Sequence, residues 1–152
     1  MIRYPKFVRQ VSQEPLERLL RGAIRAFDTE LTRRLAERGY TDIRRAHGAV
    51  FANIDDSGTH PSQLAQRAAM SRPSMTELIA DLEAKGYLTR RPEAADARSR
   101  VVRLTRRGVR HREEAREIIA QMERLYAKRL GSERMACLRE ALVRLSQVAN
   151  QS

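Results

Sequence analysis

Arginine is concentrated in one stretch of the chain, where its spacing suits contact with a phosphate backbone. Residues 86–112 hold nine arginines against the two acids Glu93 and Asp96, a local charge of +7 in a chain whose net charge is +11. A guanidinium group is a planar fork that binds phosphate oxygens and guanine edges. A GC-rich coding bias explains much of the arginine excess, so position is more informative than number. The stretch favours a contact with nucleic acid.

Two short β-prone runs within this stretch, residues 87–91 and 101–105, predict a hairpin that carries the arginines on its strands and loop. Phosphate contacts position a protein on DNA, whereas contacts to base edges select a sequence. We therefore expect Arg90, Arg91, Arg100 and Arg103 to grip phosphates along the flanks of the hairpin.

The segment before the hairpin predicts a helix-turn-helix. A short third helix follows Thr59-His60-Pro61, and a fourth begins at the N-cap Ser71 and ends at Gly86. The second helix of such a pair enters the major groove with its first residues leading. The predicted contacts there are Ser71, Arg72, Pro73, Ser74 and Thr76. The nearby acid Glu77 either accepts from a cytosine amine or pairs with an arginine, and we favour the second role.

Longer helices flank this segment. Apolar residues at helical spacing predict a first helix from Pro15 to about Arg38 and a second, capped by Thr41 and Asp42, that runs to about residue 54. Thr105 is expected to cap a fifth helix over about 106–130, and Gly131-Ser132 to separate it from a sixth. The expected fold is mainly α, with six helices and a small β-hairpin wing.

Composition limits the class of protein. At 152 residues the chain fits one intertwined unit, and with 5% aromatic and 32% charged residues its core must be largely aliphatic. A single cysteine, Cys137, excludes an intrachain disulfide framework and a Cys-based zinc site. No apolar run approaches the roughly 18 residues of a membrane span, and no secretory signal is evident. We expect a cytoplasmic protein without a cofactor or metal.

Several short motifs resemble the MarR family of bacterial transcription regulators. They are Ser62-Gln63-Leu64-Ala65, Ser71-Arg72-Pro73-Ser74, Leu82 to Leu88, Asp96-Ala97-Arg98 and Leu104-Thr105-Arg106-Arg107-Gly108. The resemblance covers about residues 41–110 in motif and the flanking helices in layout only. Its wing pattern, Asp-x-Arg followed by Leu-Thr-x-x-Gly, is fairly specific to the family.

The resemblance implies a homodimer in which residues 1–40 and 108–152 form a helical dimerisation region around a winged helix-turn-helix at 41–107. It also implies that the dimer binds a pseudo-palindromic operator, usually as a repressor of transcription. The wing arginine, here Arg98, would enter the minor groove, and Asp96 would help to fix the loop. Independently, arginine prefers narrow, A·T-rich minor grooves, and an aspartate in a loop can bond nearby backbone amides.

The histidines and the cysteine do not form a site for catalysis or metal binding. His47, His60, His111 and Cys137 fall on different elements. In MarR-type proteins small aromatic or phenolic effectors often bind near the second helix, so His47 and Phe51 are candidate effector contacts. A buried, hydrogen-bonded histidine at a dimer interface is the favoured alternative. For Cys137, partly buried packing is favoured over thiol sensing.

The sequence thus predicts a non-enzymatic, dimeric transcription regulator that binds double-stranded DNA and is released by a small aromatic ligand. Two alternatives stay open: an architectural DNA-binding protein of similar fold, and a winged-helix module whose arginines bind an acidic protein partner. A regulator should prefer one sequence over random DNA by roughly 10³-fold or more, which an architectural protein should not.

Overall fold

The computed structural model describes residues 14–92 and 100–149. Its elements, in chain order, are α1 (Leu16–Glu37), a 3-10 turn (Arg45–His47), α2 (Gly48–Phe51), α3 (Pro61–Arg67), α4 (Arg72–Ala84), β1 (Leu88–Pro92), β2 (Arg100–Leu104), α5 (Arg106–Leu130) and α6 (Ser132–Ala149). The six helices and the antiparallel hairpin within these two ranges confirm the predicted fold class. The chain divides into two compact units, residues 1–111 and 112–152.

Most helices begin and end at the capping residues and glycines that the sequence predicts. Ser71 caps α4, since its side chain accepts from the Ser74 amide, and Gly39 and Gly131 take φ of +94° directly after α1 and α5. The second helix is the exception. The prediction that Thr41 and Asp42 cap a helix reaching residue 54 was wrong: the chain forms a 3-10 turn and one short helical segment, 45–51. Asp42 instead bonds to side chains after α4.

The first unit has a continuous apolar core. Helices α2, α3 and α4 and the hairpin contribute to it, and Val50, Leu64, Met75, Ile79 and Leu82 are all fully buried. On α4 the buried residues Met75, Leu78, Ile79 and Leu82 recur at helical spacing, which explains why that helix presents one face inward. The opposite face of α4 is free for another molecule.

The hairpin is a small twisted sheet whose centre is β2. Leu88 pairs with Leu104 and Pro92 with Arg100 in antiparallel register. On its other edge, β2 exchanges two backbone hydrogen bonds with Thr59, at Val102, of 2.9 and 3.0 Å. The hairpin is thereby tied to the segment before α3, so the wing and the helix-turn-helix form one body.

The junction between β2 and α5 explains the Leu-Thr-x-x-Gly motif. The Thr105 hydroxyl donates to the carbonyl of Gly86 at 2.7 Å and accepts from the amide of Gly108 at 3.1 Å, so it both ties the wing base and caps α5. A Cβ at Gly108 would lie 2.2 Å from the Tyr87 carbonyl oxygen. Only glycine lets the first turn of α5 approach β1 this closely.

The second unit contains most of α5 and all of α6. Ile118 and Met122 are fully buried, and Arg139 of α6 pairs with Glu123 of α5 at 2.9 Å. Yet α6 leaves its apolar side chains uncovered. The exposed set is Leu138, Leu142, Val143, Leu145 and Val148. Four of them, all but Val143, lie toward one side of the helix at 100° per residue.

Candidate nucleic-acid interface

The α3–α4 connection is a tight turn that projects the start of α4 outward. Ala69 adopts φ of +50°, the left-handed conformation that reverses the chain, and the Met70 amide returns to the Ala65 carbonyl at 2.9 Å. Leu64 and Ala65 are buried beneath the turn. The predicted contacts Ser71, Arg72 and Pro73 are exposed at this corner, as a helix that enters a groove with its first turn requires.

The hydroxyl groups of this first turn are already engaged within the fold. Ser71 donates to the Ser74 hydroxyl at 2.8 Å while accepting from the Ser74 amide, and Thr76 donates to the Arg72 carbonyl at 2.9 Å. Ser74 keeps its own hydroxyl hydrogen for another acceptor. Hydroxyls that cap a helix are therefore weaker candidates for base contacts than the sequence suggested.

Two longer side chains of α4 are exposed and form no ion pair within residues 14–92 and 100–149, namely Arg72 and Glu77. The expected pairing of Glu77 with a nearby arginine is thus not seen in these ranges. Glu83, six residues later, takes that role by accepting from Arg90 at 3.1 Å. No local signal separates the two glutamates, because the partner of Glu83 lies on another element.

The hairpin arginines divide into engaged and available groups. Arg90 is held by Glu83, whereas Arg91, Arg100 and Arg103 are exposed and have no acidic partner in the described part of the chain. The Arg103 side chain packs over Gly58, where an added Cβ would lie 2.8 Å from its Cγ. The proposed groove contacts Asp96 and Arg98 fall outside the described residues.

A polar network that the sequence did not indicate joins the wing base to the loop after α1. Arg107 donates to Asp42 at 2.9 Å and to the Lys85 carbonyl at 3.0 Å, and its guanidinium lies 4.3 Å from the ring centre of Tyr87. The buried Tyr87 hydroxyl donates to Asp42 at 2.7 Å. Burial and the Asp42 carboxylate raise the pKa of Tyr87 to about 12. Arg107 is therefore occupied inside the fold.

His47 and Phe51 lie in the core of the first unit. The His47 ring is fully buried: its Nδ1 accepts from the Arg44 amide at 3.0 Å and its Nε2 lies 2.9 Å from the Asp81 carboxylate. Both ring nitrogens are thus engaged by partners in the same chain, as expected of a buried, hydrogen-bonded histidine, while the expected dimer interface around it stays a prediction. Phe51 stacks on His111, with ring centres 4.2 Å apart.

Asp81 of α4 is the centre of a charge cluster. It accepts from Lys85 at 2.8 Å, from Arg44 and from His47, and these hydrogen bonds, led by that of Lys85, hold its pKa far below the usual range. Burial lowers the pKa of His47, although Asp81 opposes the shift. The cluster fixes α4 against the 3-10 turn with His47 neutral.

The remaining candidates stay separate. Cys137 is exposed in the single chain, so the expectation of a partly buried cysteine was wrong for this state. Among the described residues, no group of three or more His, Cys, Asp or Glu side chains could hold a metal ion. The helices in these ranges are also too short or too polar to cross a membrane.

Comparisons with known proteins agree on one family. Residues 41–99 match the family model of the MarR family. The chain resembles the transcriptional regulator Tm0710 of Thermotoga maritima, with 28% identity over 90% of this chain and 95% of that one and a TM-score of 0.58. Apo MarR of E. coli is 25% identical over 87% and 97%, with a TM-score of 0.70.

A third structure shares the fold. CouR of Rhodococcus jostii, solved with p-coumaroyl-CoA, is 18% identical over 82% of this chain and 86% of that one, with a TM-score of 0.66. No curated protein matches the chain.

Proposed function

We propose that this chain, a member of the MarR family of winged-helix transcription regulators, is a homodimer that represses transcription by binding a pseudo-palindromic operator. Its family consists of transcription regulators, which confirms the prediction that the chain is not an enzyme. The bacterial cytoplasm, which holds the chromosome, is the compartment where we place this function.

One observation carries the DNA-binding part of the proposal. The first turn of α4 lies exposed on the same body as the hairpin arginines Arg91, Arg100 and Arg103, and the fold does not neutralise these charges within its described residues. A positive surface of this kind attracts the phosphate backbone without regard to sequence. An exposed helix start beside it supplies contacts for the major groove.

The homodimer is supported by the uncovered apolar side chains of α1 and α6. Leu16 and Ile24 of α1 are 56% and 53% exposed, and Val148 of α6 is 63% exposed. Exposing several large apolar side chains to water is unfavourable. A second copy of the chain carries the same apolar surface, so the two copies would cover each other. Two winged helices in one dimer would read two half-sites about one helical turn, roughly 34 Å, apart.

Salt dependence and sequence preference test the proposal together. DNA selected from a random pool should bind at least about 10³-fold tighter than random duplex at physiological salt. If the dimer neutralises about eight phosphates, the plot of log affinity against log salt should have a slope near −7. A slope near zero would contradict phosphate binding. Equal affinity for all duplexes would instead indicate an architectural protein.

The wing contact is a separate part of the proposal. Arg98→Ala should weaken operator binding while leaving the melting temperature and the dimer unchanged, because an arginine in a minor groove contributes only in the complex. Unchanged operator affinity in this variant would count against wing insertion. Arg107→Ala is the useful contrast, since it breaks the network with Asp42 and should lower stability first.

Release by a small aromatic ligand completes the proposed function, with His47 and Phe51 as the proposed contacts. CouR, which shares the fold, was solved with p-coumaroyl-CoA. A ligand that bonds His47 would have to displace the Arg44 amide or Asp81. A screen of aromatic acids for loss of operator binding, repeated with Phe51→Ala, tests this step. A ligand that acts equally on both proteins would exclude Phe51 as a contact.

A further inference from the structure

We propose that Arg72 and Glu77 of α4 are the residues that choose the operator sequence, with Arg72 reading a guanine and Glu77 a cytosine in the same half-site. This inference rests on the proposed DNA-binding function and adds the base identities. It follows from which polar groups of α4 the fold uses and which it leaves available.

The fold engages most of the short polar groups of α4. Ser71 and Thr76 donate their hydroxyl hydrogens to Ser74 and to the Arg72 carbonyl. Of the acids of α4, Asp81 binds Arg44, Lys85 and the neutral ring of His47, and Glu83 binds Arg90. Arg72 and Glu77 are the long polar side chains left without a described partner, and both are exposed.

Arg72 is placed for a base edge rather than a phosphate. It is the first residue of α4, at the corner that enters the groove first. Its stem borders an open cleft of about 340 Å³ between α3 and α4, lined also by Ser62, Gln66 and Met70. Guanine offers O6 and N7, two acceptors that match the guanidinium fork.

A carboxylate only accepts hydrogen bonds, so Glu77 can recognise only a hydrogen-bond donor on a base edge. A carboxylate near DNA is repelled by phosphates, and in the major groove the N7 atoms of both purines also repel it. Adenine offers its N6 amine beside such an N7 atom, whereas cytosine presents only its N4 amine, which donates to the carboxylate. Glu77 therefore disfavours many bases and favours one, so its contribution to selectivity exceeds its contribution to affinity. Its exposure means that it is available for this contact.

Five residues separate Arg72 from Glu77, about 7.5 Å of helix rise and about 140° of rotation, so the two side chains contact different base pairs. Each half-site should thus contain both a guanine and a cytosine, and the two half-sites should repeat this pattern with inverted polarity.

The experiment compares variants on a selected duplex and on single-base changes of it. Arg72→Ala should lose about tenfold or more on the selected duplex and almost nothing once the guanine is replaced. Replacing that guanine by 7-deazaguanine, which lacks N7, should weaken the wild type but not Arg72→Ala, since the two changes remove one contact. Glu77→Gln should shift the preferred base from cytosine toward adenine, which matches an amide.

Arg91→Ala is the matched control, because it removes an exposed arginine of the hairpin. It should weaken all duplexes alike and make the salt slope shallower by about one. If Arg72→Ala behaves like Arg91→Ala, or if Glu77→Gln keeps the wild-type preference, the assignment of bases is overturned while DNA binding stands. If the wild type selects no sequence at all, the proposed regulator function fails together with this inference.

Discussion

The winged-helix part of the chain and the helix α6 differ in how completely each buries its apolar side chains. In the first, Val50, Leu64 and Leu82 are fully buried. In the second, Leu138, Leu142 and Val148 are between 42% and 63% exposed. Aliphatic residues build both, so composition does not explain the difference. The winged helix buries its apolar side chains within one chain, whereas we propose that a second copy covers those of α6.

The largest expected effect comes from placing charge on the exposed stripe of α6. Leu142→Asp with Leu145→Asp would bury two carboxylates from each chain, four in the dimer, at a cost of several kcal/mol. We expect monomers in sedimentation and a loss of operator affinity of at least about 100-fold, because one winged helix holds only one half-site. Val143→Asp adds one carboxylate per chain on the other side of the helix and should leave the dimer intact. Equal dissociation by both variants would refute the assigned face.

Core truncation in the winged helix should act on folding instead. Leu82→Ala removes a fully buried side chain and should lower the free energy of unfolding by about 2–5 kcal/mol in urea titrations. The same change at Leu138, which is 45% exposed in the single chain, should alter the dimer dissociation constant more than the urea midpoint of the winged helix. If Leu82→Ala and Leu138→Ala shift that midpoint equally, the two regions do not differ as described.

Gly108→Ala tests the close approach of the first turn of α5 to β1 at the base of the wing. The added Cβ would meet the Tyr87 carbonyl oxygen, so the junction must open, at a cost of about 1–3 kcal/mol. Gly22→Ala is the control, since Gly22 lies inside α1 with no atom within 4 Å of an added Cβ. It should stabilise α1 by about 0.5–1 kcal/mol. A thermal melt in which both variants move the same way would contradict the close approach.

The smallest effect is a pH dependence confined to the winged helix. The pKa of His47 is lowered by burial, so the unfolded chain binds the proton more readily than the folded one. Stability is therefore full above about pH 6.5 and falls below it, by up to about 1.4 kcal/mol per pH unit. Denaturant midpoints between pH 7 and 5 measure this loss. In His47→Gln the slope in this range should become shallower, and an unchanged slope would assign it to another group.

Much of this fold could be predicted from local signals. Periodicity located the long helices, Ser71 and Thr105 marked two helix starts, and the wing motif located the hairpin. Local signals failed where contacts with residues distant in the sequence determine the structure. The aspartate Asp42 looks like a helix cap, but Tyr87 and Arg107, far along the chain, engage it. The second helix is consequently shorter than its apolar pattern predicts.

The sequence predicted the region of the candidate site better than the roles of its individual residues. The sequence located the arginines and the first turn of α4. It could not separate Arg90, which Glu83 holds, from Arg91, because the partner lies seven residues away on another element. Nor could it show that the hydroxyls of Ser71 and Thr76 serve the helix itself. Hydrogen-bond partners depend on three-dimensional neighbours, and these decide which polar groups remain for DNA.

The mass of the protein–DNA complex on a selected duplex tests the account most directly. Native mass spectrometry should find two chains, twice the 17.5 kDa of one, on a duplex that contains both half-sites. A duplex with scrambled half-sites should retain no such complex at the same salt concentration. One chain per duplex, or equal occupancy of the scrambled duplex, would contradict a dimeric, sequence-specific regulator.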